Sequence, residues 1–258
     1  MSEAILQQLI ISKKNGNKEL GILLDPDKTD ISQLPALIQL LEKAAVDYIL
    51  VGGSLLTTHR FDELLQILKK LTNIPLILFP SGTYQVSPHA DALLFLSLIS
   101  GRNPELLIGK HVEAAPLLHK LNLEIIPTGY MLIDGGIQTT VSYISNTTPI
   151  PFHKPEIGAF TALAGQYLGM KLIYMDAGSG AIRPIPIEMI QTVKSTIELP
   201  LIVGGGIKTP EQAFVTASAG ADLIIVGNHF EKDPTMIPDF AAAIKSAGKS
   251  VKKPDFNA

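Results

Sequence analysis

The feature that most constrains this chain is a repeat. A short unbroken apolar run recurs eight times, followed in most cases by a loop with Gly, Pro, Ser or Asp and then by helical periodicity. The runs occupy residues 21–24, 48–51, 76–79, 92–96, 123–127, 171–175, 201–203 and 223–226. Runs without polar alternation suit parallel strands covered by helices, because an antiparallel sheet with one wet face would alternate. Eight such units in about 250 residues predict a (β/α)8 TIM barrel, read as a single domain over residues 1–258. An open Rossmann-like sheet would place a G-x-G-x-x-G turn after the first strand, and the chain has LLDPDK there instead.

Helical periodicity covers residues 31–45, 60–71, 104–120, 157–168, 187–197 and 210–219. The last begins with Thr209 and Pro210, a hydroxyl N-cap followed by proline at the first helical position. Two connections depart from the pattern. PSGTYQVSPHAD, after the third run, is too short and too rich in Pro, Gly and Ser for a helix, so the third repeat is expected to lack one. Residues 133–155 are long and predict a small hairpin or lid over the barrel mouth.

Composition narrows the function. Apolar residues make up 46% of the chain and mean hydropathy is +0.28, yet no apolar run approaches the roughly 18 residues that a spanning helix needs. Acidic residues outnumber basic ones by 24 to 21 without a long run of either sign, which argues against a nucleic-acid partner. The absence of cysteine excludes disulfides and thiolate metal sites. The N-terminal stretch carries Glu3 and neither a basic n-region nor a small-residue cleavage site, so cytoplasmic residence is the expectation. The six histidines are scattered, with no H-x-x-x-H spacing, and read as surface or capping residues.

The candidate site residues cluster at strand ends. LIVGGGIKTP places Gly204, Gly205 and Gly206 after the seventh strand, and VGNHF places Gly227 and Asn228 after the eighth. Many barrels hold phosphate on backbone N–H groups at this place, and a side chain there would obstruct the approach. A tight turn is the plainer explanation, but it needs one glycine where three occur. YMDAGSGA, after the sixth strand, adds Gly178, Ser179 and Gly180 to the nest, with Tyr174 and Asp176 on one side of the strand. At the first two strand ends stand Asp25 and Ser54, hard oxygen donors suited to a Mg2+ held mainly by water and substrate phosphates.

In this order and spacing, LLDPDK, VGGS, LFPSG, SPHADALLFLSLISGRNPELLIG, IPTGYMLIDGG, QYLGMKLIYMDAGSGA, PLIVGGGIKTPEQA and GADLIIVGN resemble the geranylgeranylglyceryl phosphate synthase family, which includes heptaprenylglyceryl phosphate synthases. The similarity runs over residues 21–228. It implies a barrel lacking one helix, in which the 3-hydroxyl of sn-glycerol 1-phosphate is alkylated by geranylgeranyl diphosphate, or by a longer heptaprenyl-type donor, with release of pyrophosphate. It further implies Mg2+ on Asp25 and Ser54, and glycerol phosphate held by Tyr174, Met175, Asp176, Ala177, Gly178, Ser179 and Gly180 with Gly205, Gly206, Gly227 and Asn228. Tyr174 and Asp176 are the catalytic pair on this reading, with Asp176 as acceptor and base toward the hydroxyl. Family members usually carry glutamate where this chain has Asp176. The missing helix would leave a gap for the prenyl tail near Tyr84, Phe95, Leu98 and Ile99, whose plainer role is ordinary core. The resemblance also implies a homo-oligomer, dimeric or hexameric, and transient membrane contact for the lipid product. A sugar-phosphate isomerase-type barrel and a non-enzymatic phospholigand-binding protein share the late glycine loops and stay open.

Overall fold

The computed structural model describes residues 4–227, 230 and 233–249. Its centre is a closed parallel barrel whose strands neighbour one another in chain order: β1 (Glu19–Leu24), β2 (Tyr48–Val51), β3 (Leu76–Leu78), β4 (Ala92–Leu98), β5 (Glu124–Leu132), β6 (Leu172–Asp176), β7 (Leu201–Gly204) and β8 (Leu223–Val226). β8 returns to β1 through the register Gly21↔Ile225. Side chains alternate across each strand, so one apolar run supplies two cores. On β2, Tyr48 and Leu50 point into the barrel with Ile77, Leu94, Ile126 and Ile202, while Ile49 and Val51 lie under the helices.

The outer layer is formed by α2 (Leu34–Lys43), α3 (Phe61–Leu71), α4 (Lys110–Leu118), α6 (Pro155–Tyr167), α7 (Ile187–Thr196), α8 (Pro210–Ser218) and α9 (Ile237–Lys249). On α3 the buried positions are Phe61, Leu64, Leu65 and Leu68, an i, i+3, i+4, i+7 stripe facing the sheet. Thr209 caps α8 as its sequence predicts, accepting from the Gln212 amide at 3.2 Å. Among the described residues, no helix is long and apolar enough to cross a membrane.

The third repeat has no helix: residues 79–91 run from β3 to β4 as loop. Gln85 makes this possible. It is fully buried, and its amide donates to the Gly53 carbonyl and the Ser81 hydroxyl while accepting from the Ser81 N–H. A side chain thereby satisfies polar groups that a helix would otherwise have paired.

The segment after β5 is not a hairpin. Its ordered element is a short helix, α5 (Thr140–Ile144), started by a reciprocal capping box between Thr139 and Ser142. The pairing it makes with the barrel edge is a parallel bridge, Ile133↔Ile150. The capping residues turn the β-branched stretch into a helical turn.

The sequence pattern also missed α1 (Ala4–Lys14), which plugs the N-terminal end of the barrel. Ile5, Leu6 and Leu9 join the inner core, and Glu124 accepts from the N–H groups of Ile5 and Leu6 at 2.8 Å each. Beneath this plug lies Glu19, whose Oε1 accepts from Ser12 while the buried Oε2 faces the Tyr48 hydroxyl. Burial pushes its carboxyl from 4.5 up to about 7, the Ser12 bond opposing and the Asp47 charge adding to the shift. The folded chain thus keeps a proton that the unfolded chain releases near 4.5, so stability falls as pH rises through that window and is level above it. Glu19→Gln keeps an oxygen for Ser12 and removes the charge. It is expected to raise the unfolding free energy by about 1–3 kcal/mol at pH 8 and by little at pH 4.5, read by urea denaturation. An equal gain at both pH values would show that the carboxyl does not titrate in this window.

Candidate active site

One cavity of about 920 Å3 opens at the C-terminal end of the barrel, near the upper end of the roughly 300–1,000 Å3 usual for small-molecule sites. It has two chemically distinct parts. The polar part is bounded by Asp25, Ser54, Tyr174, Asp176, Gly178, Ser179, Gly180, Gly205, Gly206 and Gly227. Strands β1, β2, β6, β7 and β8 thus deliver their following loops to one chamber. The apolar part passes through the gap left by the missing helix, along Val86, Leu93 and Phe95, to Ala114 and Leu118 on α4. Leu93 and Phe95 sit on the helix-facing side of β4 while Leu94 faces the barrel interior, so the cavity reaches both sides of that strand.

Asp176, at the end of β6, is the most constrained polar group in the chamber. It is 8% exposed. Its Oδ2 accepts from the Tyr130 hydroxyl at 2.6 Å and its Oδ1 from the Gly178 N–H at 2.7 Å. The second bond closes an Asx-turn on the amide two residues on, a turn suited to the reach of aspartate. Burial raises the Asp176 carboxyl above the ordinary aspartate value, and the two hydrogen bonds oppose that shift. Burial and the neighbouring Asp176 charge push the Tyr130 and Tyr174 hydroxyls well up, which keeps both protonated at neutral pH.

Tyr130 was not among the residues picked out from sequence. The fifth apolar run ends at Pro127, whereas β5 continues to Leu132 and carries Tyr130 to the mouth opposite Asp176. The apolar stretch at residues 130–133 was the available signal.

Met175 and Ala177 are not brought to the chamber. Strand alternation turns both outward into the core beneath the helices, and the Ala177 N–H donates to the Gly204 carbonyl at 3.1 Å. Asn228 and His229 lie outside the described residues. Of the tail-gap residues, Phe95 and Leu98 line the cavity. Tyr84 stands 62% exposed on that loop, and Ile99 packs toward Gly129 and Gly165, away from the cavity. His111 departs from the expected surface role. It lines the apolar part, edge-on to Phe95 with centroids 4.4 Å apart, and burial lowers its pKa.

The glycines after β7 have local reasons to exist. Gly205 has φ +82°, and a Cβ there would stand 2.6 Å from Asp176 Oδ1 and 2.7 Å from the Ala177 nitrogen. At Gly206, φ is +71° and a Cβ would lie 2.4 Å from the Arg183 carbonyl oxygen. Bare backbone lets the loops after β6 and β7 close on each other, so the chamber wall itself requires these glycines. Gly205→Ala therefore combines left-handed strain with a backbone clash. A loss of about 2 kcal/mol is expected, seen as a melting temperature roughly 4–8 °C lower. An unchanged melt would mean that the loops are not held this tightly.

The Asp25 carboxylate follows β1 and is paired with Lys28 Nζ at 2.9 Å, while its Oδ1 accepts from the Asp27 N–H at 3.0 Å. A Cβ on Gly53 would lie 3.1 Å from the same Oδ1, so β2 brings its glycine pair and Ser54 close to the carboxylate. Among the described residues there is no cluster of three or more His, Cys, Asp or Glu able to cage a metal. One carboxylate and one hydroxyl fit a hard cation that arrives already liganded by phosphate oxygens.

Fold and site together define a barrel whose mouth joins a polar chamber to an apolar cleft in a single cavity. The sequence pattern of the PcrB family matches residues 15–245. The chain is 51% identical over 252 residues to a geranylgeranylglyceryl phosphate synthase of Chitinophaga pinensis, covering 98% of this chain and all of that one. It is 44% identical to the same-named enzyme of Thermococcus kodakarensis, over 82% and 83% of the two chains. The crystal structure of (S)-3-O-geranylgeranylglyceryl phosphate synthase from Thermoplasma acidophilum in complex with substrate sn-glycerol-1-phosphate superposes with a TM-score of 0.88. That pair is 33% identical over 94% of this chain and 98% of that one. The chain belongs to the PcrB family, and like the synthases it matches it is an enzyme.

Proposed function

We propose that this protein forms the ether bond between the 3-hydroxyl of sn-glycerol 1-phosphate and the first carbon of geranylgeranyl diphosphate, releasing pyrophosphate. The observation that carries the reading is the joined cavity. A polar, glycine-walled chamber suits a glycerol phosphate, and the apolar cleft continuous with it under α4 suits a prenyl chain. The names of the relatives and the substrate bound in the Thermoplasma structure support the same pair.

The glycine loops after β6, β7 and β8 would hold the phosphate at the mouth. The glycerol 3-hydroxyl would then face Asp176, which takes its proton, while Tyr130 and the Gly178 amide orient the carboxylate. Tyr174, beside it, shapes the polar chamber. Asp25 and Ser54 would hold Mg2+, which when bound supplies charge neutralisation to the departing diphosphate. Residues Thr140, Val141 and Ile144 of α5 line the cavity from above and limit the access of water to the reacting carbon. The exposed side chains of Phe160 and Tyr167 on α6 and of Leu168 just after it support a homo-oligomer, dimeric or hexameric, to be measured by light scattering.

The deciding experiment is pyrophosphate release by the purified protein with Mg2+ and geranylgeranyl diphosphate, comparing sn-glycerol 1-phosphate with its 3-phosphate enantiomer. Release that depends on the 1-phosphate is expected. Release equal with both enantiomers, or with neither, would overturn the reading. A heptaprenyl donor run in parallel maps chain length.

A further inference from the structure

Ether formation of this kind builds positive charge on the allylic carbon as its bond to the diphosphate oxygen lengthens. A carboxylate touching that carbon could be alkylated by it, whereas an aromatic face attracts a cation without forming a bond to it. Three rings meet beside the chamber. Phe79, immediately after β3, stacks on Tyr174 with centroids 5.1 Å apart and planes at 27°. Tyr130 stands edge-on to both, at 5.8 Å from Phe79 and 5.6 Å from Tyr174. Tyr130 and Tyr174 are buried, while Phe79 is half-buried and lines the cavity.

The position of Phe79 is the informative part. On one side, a Cβ on Gly52 would lie 2.0 Å from the Phe79 carbonyl oxygen, and the next glycine abuts Asp25, so the ring's strand end adjoins the anchor assigned to the diphosphate. On the other side, Tyr130 joins the ring to Asp176, the acceptor assigned to the hydroxyl proton. The apolar cleft leaves the chamber through the same helix-less repeat that Phe79 begins. A carbon bonded to a diphosphate at Asp25, facing a hydroxyl at Asp176 and trailing its chain into the cleft, must pass this ring.

We propose that Phe79, backed by Tyr174, is a catalytic residue that stabilises the allylic cation through its π face. This rests on the ether-forming reaction proposed above. In that step the carbon–oxygen bond to the diphosphate breaks and its electron pair leaves with pyrophosphate. The glycerol oxygen forms the new bond to the same carbon, and its proton passes to the Asp176 carboxylate. Phenylalanine suits the position because it offers no oxygen for the cation to alkylate.

The test replaces Phe79 with mono-, di- and trifluorophenylalanine, which withdraw electron density from the ring while nearly keeping its shape. Single-turnover rates are then measured with saturating sn-glycerol 1-phosphate, geranylgeranyl diphosphate and Mg2+. The expected result is a stepwise fall, roughly tenfold across the series, with at least that loss for Phe79→Leu and a KM for glycerol phosphate within about twofold of the parent. A flat rate across the fluorinated series, in a parent that makes product, would overturn the role of Phe79 and leave the reaction standing. A parent that makes no product would instead remove the reaction, and the role of the ring with it.

Discussion

Asp176→Asn is expected to lower kcat by about 10²–10⁴-fold while leaving the KM for sn-glycerol 1-phosphate within a few-fold. The substitution preserves shape. The amide oxygen can still accept from the Gly178 N–H, and the amide NH2 can donate to the Tyr130 oxygen once that hydroxyl turns. The lost property is the ability to take a proton from the substrate. Burial holds the carboxyl above the ordinary aspartate value, so it protonates earlier than a solvated aspartate as pH falls. The acid limb of the parent's kcat profile should therefore lie above that value and vanish in the variant. An unchanged kcat would remove Asp176 as the base and leave it a structural acceptor.

The second large effect is expected at Asp25. Asp25→Ala should reduce turnover by roughly 10²–10³-fold through loss of the charge that would hold Mg2+ against the leaving diphosphate. The fold should tolerate the change, because the ion pair lost is with a half-exposed Lys28, worth at most about 1 kcal/mol. The amide of Asp27 would lose its acceptor as well, so Asp25→Asn, which retains an oxygen for that N–H, is the sharper comparison. Both variants should bind Mg2+ and pyrophosphate more weakly by calorimetry while melting near the parent temperature. Full turnover at low Mg2+ in either would exclude Asp25 as a metal ligand.

Much of this molecule is legible along the chain because a barrel is built from local units. Each strand announces itself as a short apolar run buried on both faces, and Gln85 shows why the third repeat could dispense with its helix. Reading failed where a local signal conflicted with a distant contact. Pro127 argues for a strand end, yet β5 is held by β4 through Tyr130 and by β6 through Leu132. The β-branched residues of α5 argue for extended chain, yet the Thr139 and Ser142 caps satisfy the amides of a helical turn. The N-terminal helix was missed because its role is to plug a barrel end formed by strands far along the chain, with Glu124 as its cap.

The barrel, its missing third helix and its glycine-bearing loops can be read along the chain, since each follows from periodicity or turn chemistry within a few residues. Folding alone brings Asp176 to Tyr130, 46 residues away, and Phe79 onto Tyr174. It also decided that Met175 and Ala177 face outward, and that the polar chamber continues into an apolar cleft under α4. The physical reason is closure. The register of eight strands around a ring decides which side chains share its mouth, and no stretch of the chain shorter than the whole ring contains that register.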